Sequence, residues 1–176
     1  MKHISFVSQD NFLFNISIKE NIRMGNPCAT DEEVLAAAKA ARCDEFIRKM
    51  EYGYDTLVGD AGGKLSGGER QRITIARAIL KPADVVILDE ASAYADPENE
   101  VYIEEAINEL VKDKTLIVVA HRLETIENSD KIVVVDQGKI VAEGTQSELL
   151  KNCALYKRLW NETILTSERK RGDCNA

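Results

Sequence analysis

Apolar residues recur along this chain in two rhythms. Four short runs are nearly continuous: Ile4-Ser5-Phe6-Val7, Val85-Val86-Ile87-Leu88, Leu116-Ile117-Val118-Val119 and Ile132-Val133-Val134-Val135. Runs of this length and β-branched content predict strands, and consecutive apolar positions suit parallel strands covered on both faces. The pattern places strands at Ile4 to Val7, Asp84 to Asp89, Thr115 to Ala120 and Lys131 to Asp136, the second and third of them buried. Gln137-Gly138 then turns tightly into the alternating Lys139 to Glu143, which predicts a hairpin.

The second rhythm is helical. Thr30-Asp31-Glu32-Glu33 is a capping box and starts an Ala-rich helix to about Ala41, with a second short helix from Asp44 to Met50. Ser17 to Met24 fits either a short helix or a loop, closed by Gly25-Asn26-Pro27. Tyr52 to Asp55 and Gly59 to Gly63 read as loops. A helix from Glu69 to Leu80 follows Ser66-Gly67-Gly68, offers Ile73, Ile75, Ala76, Ile79 and Leu80 for burial, and ends at Lys81-Pro82. Asp96 as N-cap and Pro97 at the first helical position start another helix to about Val111. Thr145-Gln146-Ser147-Glu148 is a capping box that opens C-terminal helices, and the tail from about Ser167 is polar. Strands alternating with helices predict an α/β domain with a mostly parallel sheet, beside a helical block near residues 10–80.

Composition narrows the function classes. The 176 residues are 44% apolar and 30% charged, enough for one domain with a real core. A net charge of −7 and a pI near 5.0 argue against a nucleic-acid partner, which needs a basic face. No apolar run reaches bilayer length, and Met1 to Asp10 has no apolar h-region, so membrane association is expected through a partner. Cys28, Cys43, Cys153 and Cys174 form no C-x-x-C pair, which disfavours a zinc or redox site and fits reduced thiols.

Candidate chemistry sits at strand ends. The strand ending in Asp89-Glu90 puts two carboxylates where parallel sheets bind ligands. Nucleotide hydrolysis needs one carboxylate to hold Mg²⁺ and another group to orient or deprotonate water; Asp89 suits the first role and Glu90 the second. Read alone, the pair has a second reading, an ordinary acidic strand end followed by a turn. Ser66-Gly67-Gly68 leading into a helix combines a hydroxyl, amides and a positive dipole end into an anion site, although Ser66 is equally a plain N-cap. His121 follows the strand Leu116 to Ala120 and could donate a hydrogen bond to a γ-phosphate. Gln9 ends the first strand, and its amide could reach Mg²⁺ or the attacking water, although by itself a Gln there reads as an exposed polar residue.

In order and spacing these pieces resemble the ATPase domain of ABC transporters, over about Ile4 to Trp160. Leu65-Ser66-Gly67-Gly68-Glu69 resembles the signature, Val85 to Asp89 the Walker B strand, Glu90 the catalytic glutamate, His121 the switch histidine and Gln9 the Q-loop glutamine. The stretch Leu13 to Ile22 is typical of exporters, and Thr56-Leu57-Val58-Gly59-Asp60 resembles the exporter loop that faces the transmembrane coupling helices. The resemblance implies a P-loop-NTPase-like α/β fold with a helical subdomain. It divides the chain into a partial ATPase domain at 1–166, with a helical and signature part at about 10–80 and a core with C-terminal helices at about 81–166, and a tail at 167–176.

It also implies ATP and Mg²⁺ as cofactors, a second ABC ATPase domain bound head to tail, and a transmembrane domain at the cytoplasmic face of the plasma membrane. Gln9, Asp89, Glu90 and His121 would serve the domain's own nucleotide. Leu65 to Glu69 would serve the partner's, and Asp96 would lie in a D-loop at the dimer contact. Three departures stand out. The D-loop reads Ala93-Tyr94-Ala95-Asp96 instead of beginning with Ser; Asp60-Ala61 replaces the usual Glu-Arg; and no G-x-x-x-x-G-K-[ST] phosphate loop occurs. The rival expectations are a non-catalytic interaction module that offers only its signature, and a DNA-repair or chromosome-organising ATPase lobe. The exporter-like stretch, the acidic pI and the lack of coiled-coil heptads count against the latter.

Overall fold

The computed structural model describes residues 3–8, 10–89, 97–120 and 123–172. They form two compact units, Met1–Val119 and Ala120–Ala176. In the first, strand β1 (Ile4–Val7) leads into helices α1 (Ile18–Arg23), α2 (Asp31–Ala40) and α3 (Asp44–Ile47), two single 3₁₀ turns (Gly53–Asp55 and Asp60–Gly62) and the long helix α4 (Gly67–Leu80). Strand β2 (Val85–Asp89), helix α5 (Pro97–Leu110) and strand β3 (Thr115–Val119) follow. The three strands form one parallel sheet in the order β1-β2-β3, with Ile4 beside Val85 and Val85 beside Thr115.

The sequence pattern accounts for most of these elements. Thr30 and Glu33 close their capping box reciprocally, the Thr30 amide donating to Glu33 Oε2 at 2.7 Å and the Glu33 amide to Thr30 Oγ1 at 3.3 Å. The ambiguous Ser17 to Met24 resolves as α1, with Ser17 as N-cap accepting from the Glu20 amide. The short helix after Asp44 stops at Ile47, before the expected Met50, and turns carry the chain on. The expectation that Ile79 and Leu80 are buried is half met: both are partly covered, while Ile73, Ile75 and Ala76 are fully enclosed.

The two-sided burial expected of β2 and β3 is not what this unit shows. Val7, Val86 and Leu88 face a core shared with Ile73, Ile75, Ile103 and Leu110 from α4 and α5. The opposite face carries Ile4, Phe6, Ile87, Ile117 and Val119; there Phe6 is 54% exposed, Ile117 48% and Val119 47%. The physical reason is that α4 and α5 cover one face only. Continuous apolar runs therefore report the demand for two-sided cover, not its supply within this unit.

In the second unit, a 3₁₀ turn (Leu123–Ile126) precedes an antiparallel hairpin of β4 (Ile132–Asp136) and β5 (Lys139–Gly144). Gln137 and Gly138, both with positive φ, make the turn, as Gln137-Gly138 predicts. Helices α6 (Gln146–Asn152) and α7 (Ala154–Gly172) complete it, and Ile132, Val134, Leu149 and Tyr156 form its small core. No helix among the described residues is long and apolar enough to cross a membrane.

Candidate functional site

The start of α4 is the best-defined piece of candidate chemistry. The helix begins at Gly67, two residues before its expected start, because Ser66 takes the N-cap position. Ser66 Oγ accepts from the Glu69 amide at 3.3 Å while Glu69 Oε2 accepts from the Ser66 amide at 2.8 Å, a second complete capping box. Ser-x-x-Glu is readable in sequence, and it gives Glu69 a role that the motif resemblance alone did not specify. The arrangement leaves the Gly67 and Gly68 amides without a partner in their own helix. It also leaves the Ser66 hydroxyl proton free to donate, since its oxygen is already the acceptor for Glu69. Ser66 is exposed. Helix-start amides without intrahelical partners, an exposed hydroxyl and the positive end of a 14-residue helix suit an anionic oxygen.

The surroundings hold this helix start in place. Leu65 is buried, its amide donates to the Gly62 carbonyl at 2.9 Å, and its carbonyl accepts from Arg70 Nη1 at 2.6 Å. Gly68 sits hard against α5: a Cβ there would lie 2.7 Å from Asn99 Cβ. One turn on, the Arg72 guanidinium lies between the Phe46 and Tyr102 rings at 5.1 and 5.2 Å from their centroids. Burial pushes the nearby Cys43 thiol up, keeping it protonated and unreactive.

Asp89 is the last residue of β2, beside Val119 at the end of β3, on the carboxyl edge of the parallel sheet. The three strands that run into Gln9, Glu90 and His121 all end on that edge. Gln9, Glu90, His121 and Asp96 themselves lie outside the described residues. Among the described residues no three His, Cys, Asp or Glu side chains converge as a metal cage. Asp89 offers the kind of carboxylate oxygen that a hard cation takes at such an edge.

The structure also joins two stretches far apart in sequence. Ser17 bridges Leu57 in antiparallel fashion, the Ile18 amide donates to the Thr56 carbonyl at 3.0 Å, and the Val58 amide donates to the Ile16 carbonyl at 3.3 Å. Asn15 Nδ2 reaches Asp60 Oδ1 at 3.1 Å. The exporter-like stretch and the loop before the signature are therefore one surface, with Phe12, Phe14, Ile16 and Leu57 exposed on it. Beneath it Arg77 reaches back from α4, and burial lowers its pKa to about 10, which still leaves it charged near neutrality. Sequence reading missed Arg77 and its partner Asn21; a polar pair inside an apolar pattern was the only signal.

A parallel sheet covered by helices, with a capped helix start and an acidic strand end, defines the class as an α/β fold of the ABC ATPase kind. Within it, the ABC transporter family model matches residues 1–93, and the chain belongs to that family. It is 48% identical over 164 residues to an uncharacterized ABC transporter ATP-binding protein of Sinorhizobium fredii, covering 93% of this chain and 28% of that protein. It is 50% identical over 158 residues to a Staphylococcus aureus protein assigned by name to multidrug export as an ATP-binding/permease protein, covering 90% of this chain and 27% of the relative. Among solved structures it resembles a bacterial Atm1-family ABC exporter with ATP bound, at a TM-score of 0.82 and 41% identity over 92% of this chain and 28% of that one. The chain thus spans little more than a quarter of the length of these relatives.

Proposed function

We propose that this chain is part of the ATP-hydrolysing module of an exporter-type ABC transporter, working head to tail with a second ABC ATPase domain. The observation that carries this reading is the capped start of α4, where an exposed Ser66 stands at the N-terminus of a long helix and the Gly67 and Gly68 amides have no partner within that helix. In this reading the segment Leu65 to Glu69 meets nucleotide held by the partner domain, with Ser66, Gly67 and Gly68 facing its phosphates. Asp89, with Gln9, holds Mg²⁺, whose chemistry when bound is to neutralise phosphate charge. Glu90 takes the proton of the attacking water, His121 donates a hydrogen bond to the γ-phosphate, and Asp96 lies at the dimer contact. The exposed Phe12, Phe14, Ile16 and Leu57 support docking to a transmembrane domain, which would hold the chain at the cytoplasmic face of the plasma membrane. Whatever the exporter carries, its selectivity lies in that membrane domain.

A second form of the reading is favoured by one observation: the 176 residues contain no G-x-x-x-x-G-K-[ST]. By itself the polypeptide then offers its signature to an intact partner without holding nucleotide of its own. Ser66→Asp tests the shared part of both readings. Asp remains a good N-cap but sets a carboxylate against the anion. The chain should associate with an intact ABC ATPase domain loaded with Mg-ATP, and Ser66→Asp should abolish that association at an unchanged melting temperature. Equal association of the variant would exclude Ser66 from nucleotide contact.

A further inference from the structure

Asn21 is fully buried, and every polar atom of its side chain is used. Its Nδ2 donates to the carbonyls of Phe14 at 2.9 Å, Ser17 at 3.0 Å and Ile16 at 3.3 Å, while its Oδ1 accepts from the Phe14 amide at 3.0 Å. Arg77, from the last third of α4, closes the same network. Its Nη2 donates to Asn21 Oδ1, its Nε to the Asn21 carbonyl at 2.6 Å and its Nη1 to the Phe12 carbonyl at 2.8 Å. One planar fork thus holds both ends of the segment from Phe12 to Asn21. The chain leaving α1 presses on the same helix residue, since a Cβ on Gly25 would lie 2.1 Å from the Arg77 carbonyl oxygen.

The other end of α4 is tied to that segment by a different route. Ile16 and Ile18 pair with Val58 and Thr56, the Lys64 amide donates to the Val58 carbonyl at 3.1 Å, and the chain passes directly into Leu65 and Ser66. Besides the core packing of Leu13 and Ile18 with Ile73, Ile75 and Ala76, the segment is therefore tied to α4 by two hydrogen-bonded routes, at Arg77 by side chain and near Ser66 through backbone. Of these two routes, the first depends on a single residue. We infer that Arg77 is a positioning residue: it makes the segment Phe12 to Asn21 and α4 one mechanical body, so that the exposed Phe12–Phe14 pair is rigidly continuous with the capped helix start at Ser66. The ring pair itself, T-shaped with centroids 5.1 Å apart, is the outward end of that body. The consequence for nucleotide engagement rests on the function proposed above; the mechanical coupling does not.

Amide hydrogen exchange on the full 176-residue chain separates the two. In the unsubstituted chain the Phe14 and Asn21 amides should open with the same free energy as the α4 interior at Ile73 to Ala76, as members of one cooperative unit. Arg77→Gln should speed exchange at Phe14 and Asn21 by about tenfold or more, the scale of losing hydrogen bonds from a charged donor, while Ile73 to Ala76 change by less than about threefold. Arg77→Lys should behave like Arg77→Gln, because an ammonium keeps the charge but cannot span the three acceptors as a planar fork does. It is the variant to read if Arg77→Gln does not fold. Association with the Mg-ATP-loaded partner domain should weaken by about tenfold in either variant, in step with the segment's loss of protection. Equal acceleration through α4 and the segment would reduce Arg77 to an ordinary core residue and overturn the proposal. So would full rescue by Arg77→Lys, unchanged protection of the segment, or unweakened association in a variant whose segment has loosened. Failure of the unsubstituted chain to associate would sink the functional reading, while the exchange pattern still decides the clamp.

Discussion

Gly68 and Asn99 meet where two opposing costs can be compared. Replacing Gly68 by Ala raises helix propensity by about 1 kcal/mol but forces a methyl to within 2.7 Å of Asn99 Cβ. Overpacking of that kind costs about 1–3 kcal/mol, so Gly68→Ala should be net destabilising despite the better helix former, as a lowered urea midpoint would show. A surface residue gives a pH-dependent counterpart. The Asp31 carboxyl is held below its ordinary value of 3.8, first by its hydrogen bond from Arg23 and then by the charge of Lys19. A depressed carboxylate pKa means stability that is present above the unfolded value and lost as pH falls through the folded one. Asp31→Asn should therefore flatten the acid limb of stability below about pH 4, in urea titrations compared at pH 7 and pH 3. An unchanged acid limb would remove Asp31 from the account.

Helix starts decide more of this chain than helix interiors do. Both Thr30→Ala and Ser66→Ala should cost about 1 kcal/mol, read from thermal or urea melts, since each removes a cap that accepts an amide proton. Capping boxes were legible because they are local: Thr30 with Glu33 and Thr145 with Glu148 both stand where the sequence puts them, and Ser66 with Glu69 follows the same rule. Strand positions were legible for the same reason, within one residue at β2 and β3. What local pattern could not supply was cover. Ile117 and Val119 have the sequence of buried residues and are exposed in this unit, because burial depends on what packs across the sheet. The Asn21–Arg77 network was illegible too, as its members lie 56 residues apart and hydrogen-bond largely to carbonyls, which carry no sequence identity. Of the candidate site, the motif resemblance marked Ser66 to Glu69 and Asp89; their amide and hydroxyl geometry needed the fold.

At the scale of the whole molecule, the sheet face left exposed within the first unit and the absent phosphate-loop motif both bear on how the chain behaves alone. Phe6, Ile117 and Val119 form part of a contiguous apolar face, the kind of surface that seeks a partner. Phe6→Lys combined with Ile117→Lys should raise solubility and cut binding of an apolar dye, with the circular dichroism spectrum unchanged. A fall in helical signal would mean that the face is needed for folding. The isolated 176-residue polypeptide should not bind Mg-ATP with micromolar affinity, because no Gly-Lys-Ser/Thr loop supplies amides and a lysine to the β- and γ-phosphates. Calorimetry decides this, and a micromolar Mg²⁺-dependent affinity would refute it. The parallel register has one more consequence, for the order of assembly. Ile4 pairs with Val85, so β1 has no strand partner until the chain through β2 has been made, whereas α1 has its helical partner as soon as α4 is complete. Long-range closure is the slow step in such topologies. During synthesis the first strand waits while the helical block that separates it from β2 in sequence is made, and the sheet is the last part of this unit expected to come together.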